Sequence, residues 1–463
     1  MTNATYQWHR KSAIALAVAA AIQANAQTGA EDATLEETVV VGQFQQSLVD
    51  RIPIDPKDLP FTLNIVDRGF IDERNFTRPI EALTTLPNLI RTEDRQGTGT
   101  TNFISRGFEA PTLVDNRVQI NFRGAGARDD VFVERYEVLK GPASIASGPV
   151  GAGGIINTVT KVPQAEEFVD VKLRTDQFGS AGLEFDANLG ELGDSDIAML
   201  RISGAYRDME FDADETKRET TAIRPVAIVN LGSATSVRAS IAYTEHELNP
   251  NAGFPLLLNG DIPNEIKTDT FTGFANGEGE VEDTFYEAEV SHEFLDNLKL
   301  TVRGSKQETD FDYQNTSGLY NYNENFRLGG IGGAYDYGIY AYGFRGETES
   351  EATFYDAQLA YNTQAWGQQQ DFVVGIAYDE NTFERSFSDE YIFPGPFSLD
   401  SIDEPRYGAD DYGTMSLFST FESELDSAFF EAAIRPNDLL TVVAGIRYDD
   451  LEQVTTRRGF PSE

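Results

Sequence analysis

The chain has 463 residues, no cysteine, three histidines (His9, His246 and His292) and a formal charge of −40. Disulfide frameworks, thiolate metal sites and cysteine nucleophiles are therefore excluded, and a histidine-rich metal cluster is not available. Nucleic-acid binding needs the opposite charge.

Residues 1–26 read as a cleaved signal peptide: His9-Arg10-Lys11 is basic, residues 13–22 are unbroken apolar, and Ala24-Asn25-Ala26 is a small-x-small cleavage site. Ten apolar residues are too few for a spanning helix, and no other run comes near that length. A membrane location would therefore require a barrel.

Residues 27–52 are polar and acidic apart from Glu37-Thr38-Val39-Val40-Val41-Gly42. This β-prone patch could add as a strand to a partner's sheet edge, or begin the next domain.

Residues 53–165 read as one small mixed α/β domain of balanced charge. A strand is expected at 62–66, then a helix at 70–73 and a second at 79–85, with Pro79 in its first turn. Residues 86–90 end that helix and 96–101 form a polar loop. Further strands are expected at 103–108, which holds Arg106-Gly107-Phe108, and at 113–120. A second glycine-rich loop follows at 121–128. In 134–161 a charged strand, 134–140, meets the turn pair Gly141-Pro142, and an apolar strand, 155–160, closes the stretch. Residues 141–154 carry five glycines without the lysine-serine context of a phosphate loop. They read as tight turns and close packing of this domain against a barrel wall.

From residue 166 the period changes to two. Leu200, Ile202 and Tyr206 alternate with Arg201, Ser203 and Arg207; Leu440, Val442, Ala444, Ile446 and Tyr448 alternate with Thr441, Val443, Gly445, Arg447 and Asp449. Roughly a dozen such strands of about 9–12 residues match the length of a tilted transmembrane strand. Short turns such as 435–438 alternate with long polar loops at 249–281, 313–348 and 387–412. Tyr206, Phe211, Tyr243, Phe285, Tyr286 and Tyr378 stand where aromatic girdles belong. A soluble sandwich or propeller would also show half-buried strands, but the leader and the loop asymmetry favour an outer-membrane barrel. The charge agrees: residues 51–165 hold fourteen acids and fourteen bases, so the acidity concentrates in the β-rich part, as for polar loops and a hydrated lumen. The acid runs 212–215 and 400–404 could hold Ca²⁺, but read better as solvated loops.

In order along the chain, Glu37-Thr38-Val39-Val40-Val41, Leu86-Pro87-Asn88, Ser105-Arg106-Gly107-Phe108, residues 134–145, residues 153–161 and residues 444–449 resemble the motifs of TonB-dependent outer-membrane receptors, most closely the siderophore (ferrichrome-type) group. The resemblance implies a mainly β protein, a transmembrane antiparallel β-barrel with an N-terminal α+β plug. Its divisions would be a leader at 1–26, a TonB-box segment at 27–52, a plug at 53–165 and a barrel from 166 to 463. A barrel of this kind has 22 strands. About a dozen are legible here, and no terminal aromatic strand is seen, so the sequence reads as lacking C-terminal strands.

The resemblance further implies energised import of a ferric siderophore by a non-enzymatic receptor, with TonB pairing with Glu37–Val41. Iron would arrive as a chelate, with no resident cofactor or metal. Expected partners are TonB with its inner-membrane complex, the ferric siderophore and outer-membrane lipid; nucleic acid is not among them, and the receptor is expected to be monomeric. Arg95, Gln96, Phe122 and Arg123 fall in the apex region that contacts ligand, where the arginines would pair with chelate oxygens or with acidic barrel walls. Arg106, Gly107, Phe108, Glu134 and Arg135 read as structural, with the charged ones pairing across the plug–barrel interface. Haem, cobalamin or a glycan is the alternative cargo. A passive porin is disfavoured by the plug and the box, and only about ten residues separate the leader from the box, too few for a signalling domain.

Overall fold

The computed structural model describes most of residues 62–458; the longer stretches outside it are 95–100, 119–128, 142–152, 250–266, 321–338, 389–395 and 398–406. The plug begins with β1 (Thr62–Asp67), α1 (Arg68–Glu73) and α2 (Pro79–Leu83). Asp67 ends the strand and caps α1, its Oδ1 accepting the Phe70 amide at 2.8 Å. Asn75, at φ 56°, turns the chain out of that helix. At α2, Pro79 occupies the first position and Glu81 reaches back to the Arg78 amide at 3.3 Å.

Strands β2 (Leu89–Asp94), β3 (Thr101–Ser105) and β4 (Phe108–Ala110) form a small antiparallel sheet. β2 lies where the sequence suggested only a helix end; Asn88, at φ 62°, makes the sharp turn that starts it. The expected strand at 103–108 is a hairpin. Arg106 and Gly107 are its two turn residues, at φ 54° and 86°, and Ser105 pairs with Phe108. The expected strand at 113–120 is also a hairpin, of β5 (Thr112–Val114) and β6 (Arg117–Val118), because Asp115 and Asn116 both adopt positive φ. The Asp115 carboxylate fixes this turn by accepting from the Thr160 amide and hydroxyl at 2.9 and 2.7 Å.

A 3₁₀ turn (Asp130–Phe132) leads into β7 (Val133–Lys140), and β8 (Ile155–Thr160) returns beside it. The five-stranded sheet runs β1-β7-β8-β5-β6. Its core includes Val66, Ile71, Leu83, Tyr136, Val138 and Ile156. Gly153 and Gly154, just before β8, close inside the plug. A Cβ on Gly153 would meet the carbonyls of Phe108 and Glu109, and one on Gly154 would meet that of Leu139 at 1.9 Å. At Gly153 and Gly154 the close approach is therefore plug against plug, not plug against barrel.

The wall follows in chain order: β9 (Phe168–Thr175), β10 (Ala181–Glu191), β11 (Ala198–Glu210), β12 (Lys217–Asn230), β13 (Thr235–Asn249), β14 (Glu278–Leu295) and β15 (Leu298–Gln314). The short pieces β16 (Leu319–Tyr320), β17 (Ile339–Ala341) and β20 (Pro396–Phe397) pair with one another. They are interleaved with β18 (Arg345–Ala365), β19 (Gln368–Ser388), β21 (Met415–Asn437) and β22 (Leu440–Arg457). The other eleven strands form one antiparallel meander with β9 and β22 at its edges, so the fold is mainly β as expected. Arg435 and Pro436 continue β21 rather than forming the turn. Several strands exceed the expected 9–12 residues, reaching 21 in β18 and 23 in β21, longer than a tilted span of a hydrocarbon layer needs. No described helix is long and apolar enough to cross a membrane.

Alternation sorts the wall into two faces. Leu173, Tyr206, Ile241, Tyr286, Val302, Tyr355, Ile376 and Ile446 are exposed on the outer face. Asp186, Arg201, Arg224, Arg238, Glu289 and Arg303 are buried on the inner one. In-register pairing sets Arg238, Glu289, Arg303 and Asp356 side by side across β13, β14, β15 and β18, a row of alternating charge. Phe285 has the inner parity and is 4% exposed, so it packs inward rather than standing in an aromatic girdle.

Candidate functional site

The plug is fastened to the wall at the turn before β7. Val131 and Phe132 enter an apolar pocket made by Ala205 on β11, Ala222 on β12, Ala242 on β13 and Phe285 on β14. Three alanines at inner positions leave the volume that Phe132 fills, and Phe132 is fully buried.

Charge surrounds this pocket. Asp129 accepts from Arg207 Nη1 at 2.6 Å, and the same guanidinium donates through Nε to Glu184 at 2.7 Å. Burial pushes the Asp129 carboxyl up, but the Arg207 charge and hydrogen bond outweigh it and hold the group below the usual carboxylate range. Asp130 behaves oppositely. Burial lifts it to about 7 against the pull of its hydrogen bond from the Tyr136 hydroxyl and the nearby Arg68 charge. Its Oδ2 is buried without a hydrogen-bond partner, while Arg68 Nη1 donates instead to the Asp130 carbonyl at 2.8 Å.

Further pairs join plug to wall at different heights. Lys172 of β9 meets Asp72 of α1 at 2.5 Å, and Arg174 donates to the Asn75 carbonyl at 3.2 Å. Arg117 of β6 donates to Glu287 of β14 at 3.0 Å, and Arg238 closes on the same carboxylate. Burial opposes the Arg117 charge, but Glu287 raises its pKa above the ordinary arginine value. Lys161 reaches Asp186 at 2.6 Å, yet burial leaves its pKa below the usual lysine value. Arg224 donates to the Lys161 carbonyl at 2.6 Å.

Of the residues singled out from sequence, Glu134 comes within 3.6 Å of Arg201 on β11 and so reaches the wall. Arg135 pairs with Glu137 inside the plug at 2.9 Å. Arg106, Gly107 and Phe108 lie at an exposed hairpin tip, with the Arg106 guanidinium beside Gly141. Glu37, Thr38, Val39, Val40 and Val41 lie outside the described residues, as do Arg95, Gln96, Phe122 and Arg123.

The fastening residues were not singled out from sequence. Asp129, Arg207, Arg117 and Glu287 are brought together from as far apart as 170 positions along the chain. The available signal was weaker: inward-parity alanines on three neighbouring strands. Glu245, Glu280 and Glu282 also converge, with ligand atoms within 4.8 Å, on the face that carries Tyr286. They come from two strands, so no acid run announces them.

Two family models match the chain. The TonB-dependent receptor plug domain matches residues 55–155, and the TonB-dependent receptor-like β-barrel matches residues 223–462. The chain is 23% identical over 291 residues to a probable TonB-dependent siderophore receptor, PiuA, of Acinetobacter baumannii, covering 61% of this chain and 38% of that protein. It is 24% identical over 281 residues to the ferrioxamine B receptor of Salmonella typhimurium, covering 59% of this chain and 38% of the relative. The ferripyoverdine receptor of the Pseudomonas aeruginosa outer membrane superposes with a TM-score of 0.76 at 19% identity, over 90% of this chain and 55% of that one. The ferric-catecholate import receptor Fiu of Escherichia coli superposes with a TM-score of 0.73 at 16% identity, over 89% and 63%. The chain thus spans less than two thirds of each of these relatives. With a plug fastened to the inner face of an antiparallel wall, and with models of both parts matching in order, the chain belongs to the TonB-dependent receptor family, which comprises receptors and transporters rather than enzymes.

Proposed function

We propose that this chain serves TonB-dependent import of a ferric siderophore across the outer membrane. The observation that carries the reading is the plug seated on the inner wall by Phe132 and by the Asp129–Arg207 pair. A passive pore has no use for a domain held in its lumen by buried charge and apolar packing.

In this reading residues 1–26 direct export, and residues 27–52 carry the box, in which Glu37–Val41 adds as a strand to TonB. Residues 53–165 close the lumen of a barrel that begins at 166. Arg95, Gln96, Phe122 and Arg123 meet the chelate at the plug apex, the two arginines pairing with its oxygens. Iron travels inside the chelate, so neither a metal nor a cofactor resides in the protein. TonB and the siderophore are the partners, lipid surrounds a monomer, and the location is the Gram-negative outer membrane. Relatives named as receptors for ferrioxamine B and for ferric catecholates support this cargo class.

The test is a binding screen of the complete receptor against ferric hydroxamate, ferric catecholate, haem and cobalamin. Tight binding of a ferric siderophore is expected, weakened at least about tenfold by Arg95→Ala with Arg123→Ala. Tight binding of haem or cobalamin alone would refute the siderophore assignment.

A further inference from the structure

Five wall cations on three of the first four barrel strands turn toward the plug. Lys172 and Arg174 lie on β9, Arg201 and Arg207 on β11, and Arg224 on β12. Each meets a plug group: Asp72 at 2.5 Å, the Asn75 carbonyl at 3.2 Å, Glu134 at 3.6 Å, Asp129 at 2.6 Å and the Lys161 carbonyl at 2.6 Å. Arg201 adds a bond to the Val162 carbonyl at 2.9 Å.

The wall's own acids do not match this set. Glu184 is shared by Arg174 and Arg207, each at 2.7 Å. Asp186 is shared by Arg201 at 2.8 Å and the plug's Lys161 at 2.6 Å. Arg224 donates to the Ser240 hydroxyl on the wall at 3.3 Å and stands 3.9 Å from Glu287. The plug therefore supplies acceptors to all five cations, while its Lys161 and Arg117 pair with the wall's Asp186 and Glu287.

The cations also run along the strand direction. Arg201 stands near the short-turn end of β11 and Arg207 near its long-loop end, about 20 Å apart at the rise of a β-strand. Arg224 lies between them, opposite Ser203. Lys172 and Arg174 continue the line at the long-loop end, where Ala181 joins Thr175 to Asp208.

In the import reading the plug leaves this wall when cargo passes. The five cations then lose their plug acceptors together, in a confined space where unmatched charge is costly. We propose that this wall is a transit track for anionic cargo: when the plug moves, the carboxylate or phenolate oxygens of a negatively charged ferric chelate replace Asp72, Asp129, Glu134 and the plug carbonyls. Guanidinium forks suit paired oxygens of this kind. The inference rests on the import reading above and narrows it to anionic chelates over neutral ones.

The test uses the complete receptor in cells lacking other iron receptors, supplied with radioactive iron as an anionic ferric tris-catecholate or a neutral ferric tris-hydroxamate. Binding and maximal uptake are measured separately. The unaltered receptor should import the anionic chelate. Lys172→Gln with Arg224→Gln should lower its maximal uptake about tenfold with its binding constant unchanged, and Lys172→Arg with Arg224→Lys should restore most of the rate. Unchanged uptake in the glutamine variant would overturn the track, as would a loss explained by reduced binding or by less receptor in the membrane. Import of the neutral chelate alone would overturn the track and leave the import reading standing. Import of neither chelate would overturn both.

Discussion

Arg207 on the barrel wall and Asp129 on the plug lie 2.6 Å apart, both buried, and Arg207 also holds Glu184. Removing the cation strands Asp129 and leaves Glu184 with Arg174 alone, whereas removing Asp129 leaves the cation its bond to Glu184. Arg207→Met should therefore destabilise plug seating by about 3–5 kcal/mol, more than Asp129→Asn does. The double variant should cost less than the sum of the two. Hydrogen exchange of the β7 amides in the detergent-solubilised receptor measures each step, and strict additivity would refute the coupling.

Asp130 gives the plug a pH dependence of definite sign. Its carboxyl is raised from 3.8 to about 7, so the folded plug keeps a proton that the unfolded chain has already lost. Its contribution to stability is therefore largest in acid, declines from about pH 4, and levels off above about pH 7. Asp130→Asn should remove that decline and stabilise the plug at neutral pH. Melting of both forms across this range tests it: an identical pH dependence would contradict the assignment.

Gly154 has no room for a side chain. It sits at φ +101°, and a Cβ there would lie 1.9 Å from the Leu139 carbonyl oxygen. Gly154→Ala should break the pairing of β7 with β8 and cost far more than the ~1 kcal/mol centre of point-mutant effects. Gly232→Ala, with positive φ but open space, is the control and should cost about 1 kcal/mol. The ratio of folded receptor in the two variants decides.

The apolar pocket predicts an asymmetric exchange of volume. Phe132→Ala should cost about 3–5 kcal/mol through its cavity, and Ala222→Leu about 1–3 kcal/mol through overpacking. Combining them should recover part of the loss, read as plug protection in hydrogen exchange. No recovery would mean that the two side chains do not share this space.

The barrel was legible because a two-faced sheet forces alternation: Tyr206 and Arg207 sit on opposite faces by parity alone, and the structure places them so. The boundaries of β8 were legible for a similar reason, since glycines bound its apolar run at one end. Hairpins inside the plug were harder. Leu113 to Ile120 alternates like one strand, and the positive φ of Asp115 and Asn116 breaks it; both residue types favour such turns, but the alternation on either side masked that signal. Phe285 looked like a girdle residue because aromatic identity carries no face; its inner parity, set by pairing with Ala242, sends it to the plug. The plug–wall contacts were least legible, since Arg117 and Glu287 meet only once both domains have folded.

In the proposed function the plug closes a lumen that TonB opens for a ferric chelate. This is tested most directly by chelate uptake in cells carrying the complete receptor with Val40→Pro, which removes a strand-pairing donor from the box. Chelate binding at the cell surface should persist while uptake falls to the level of cells lacking TonB. Uptake at the unaltered rate, with binding intact, would contradict it.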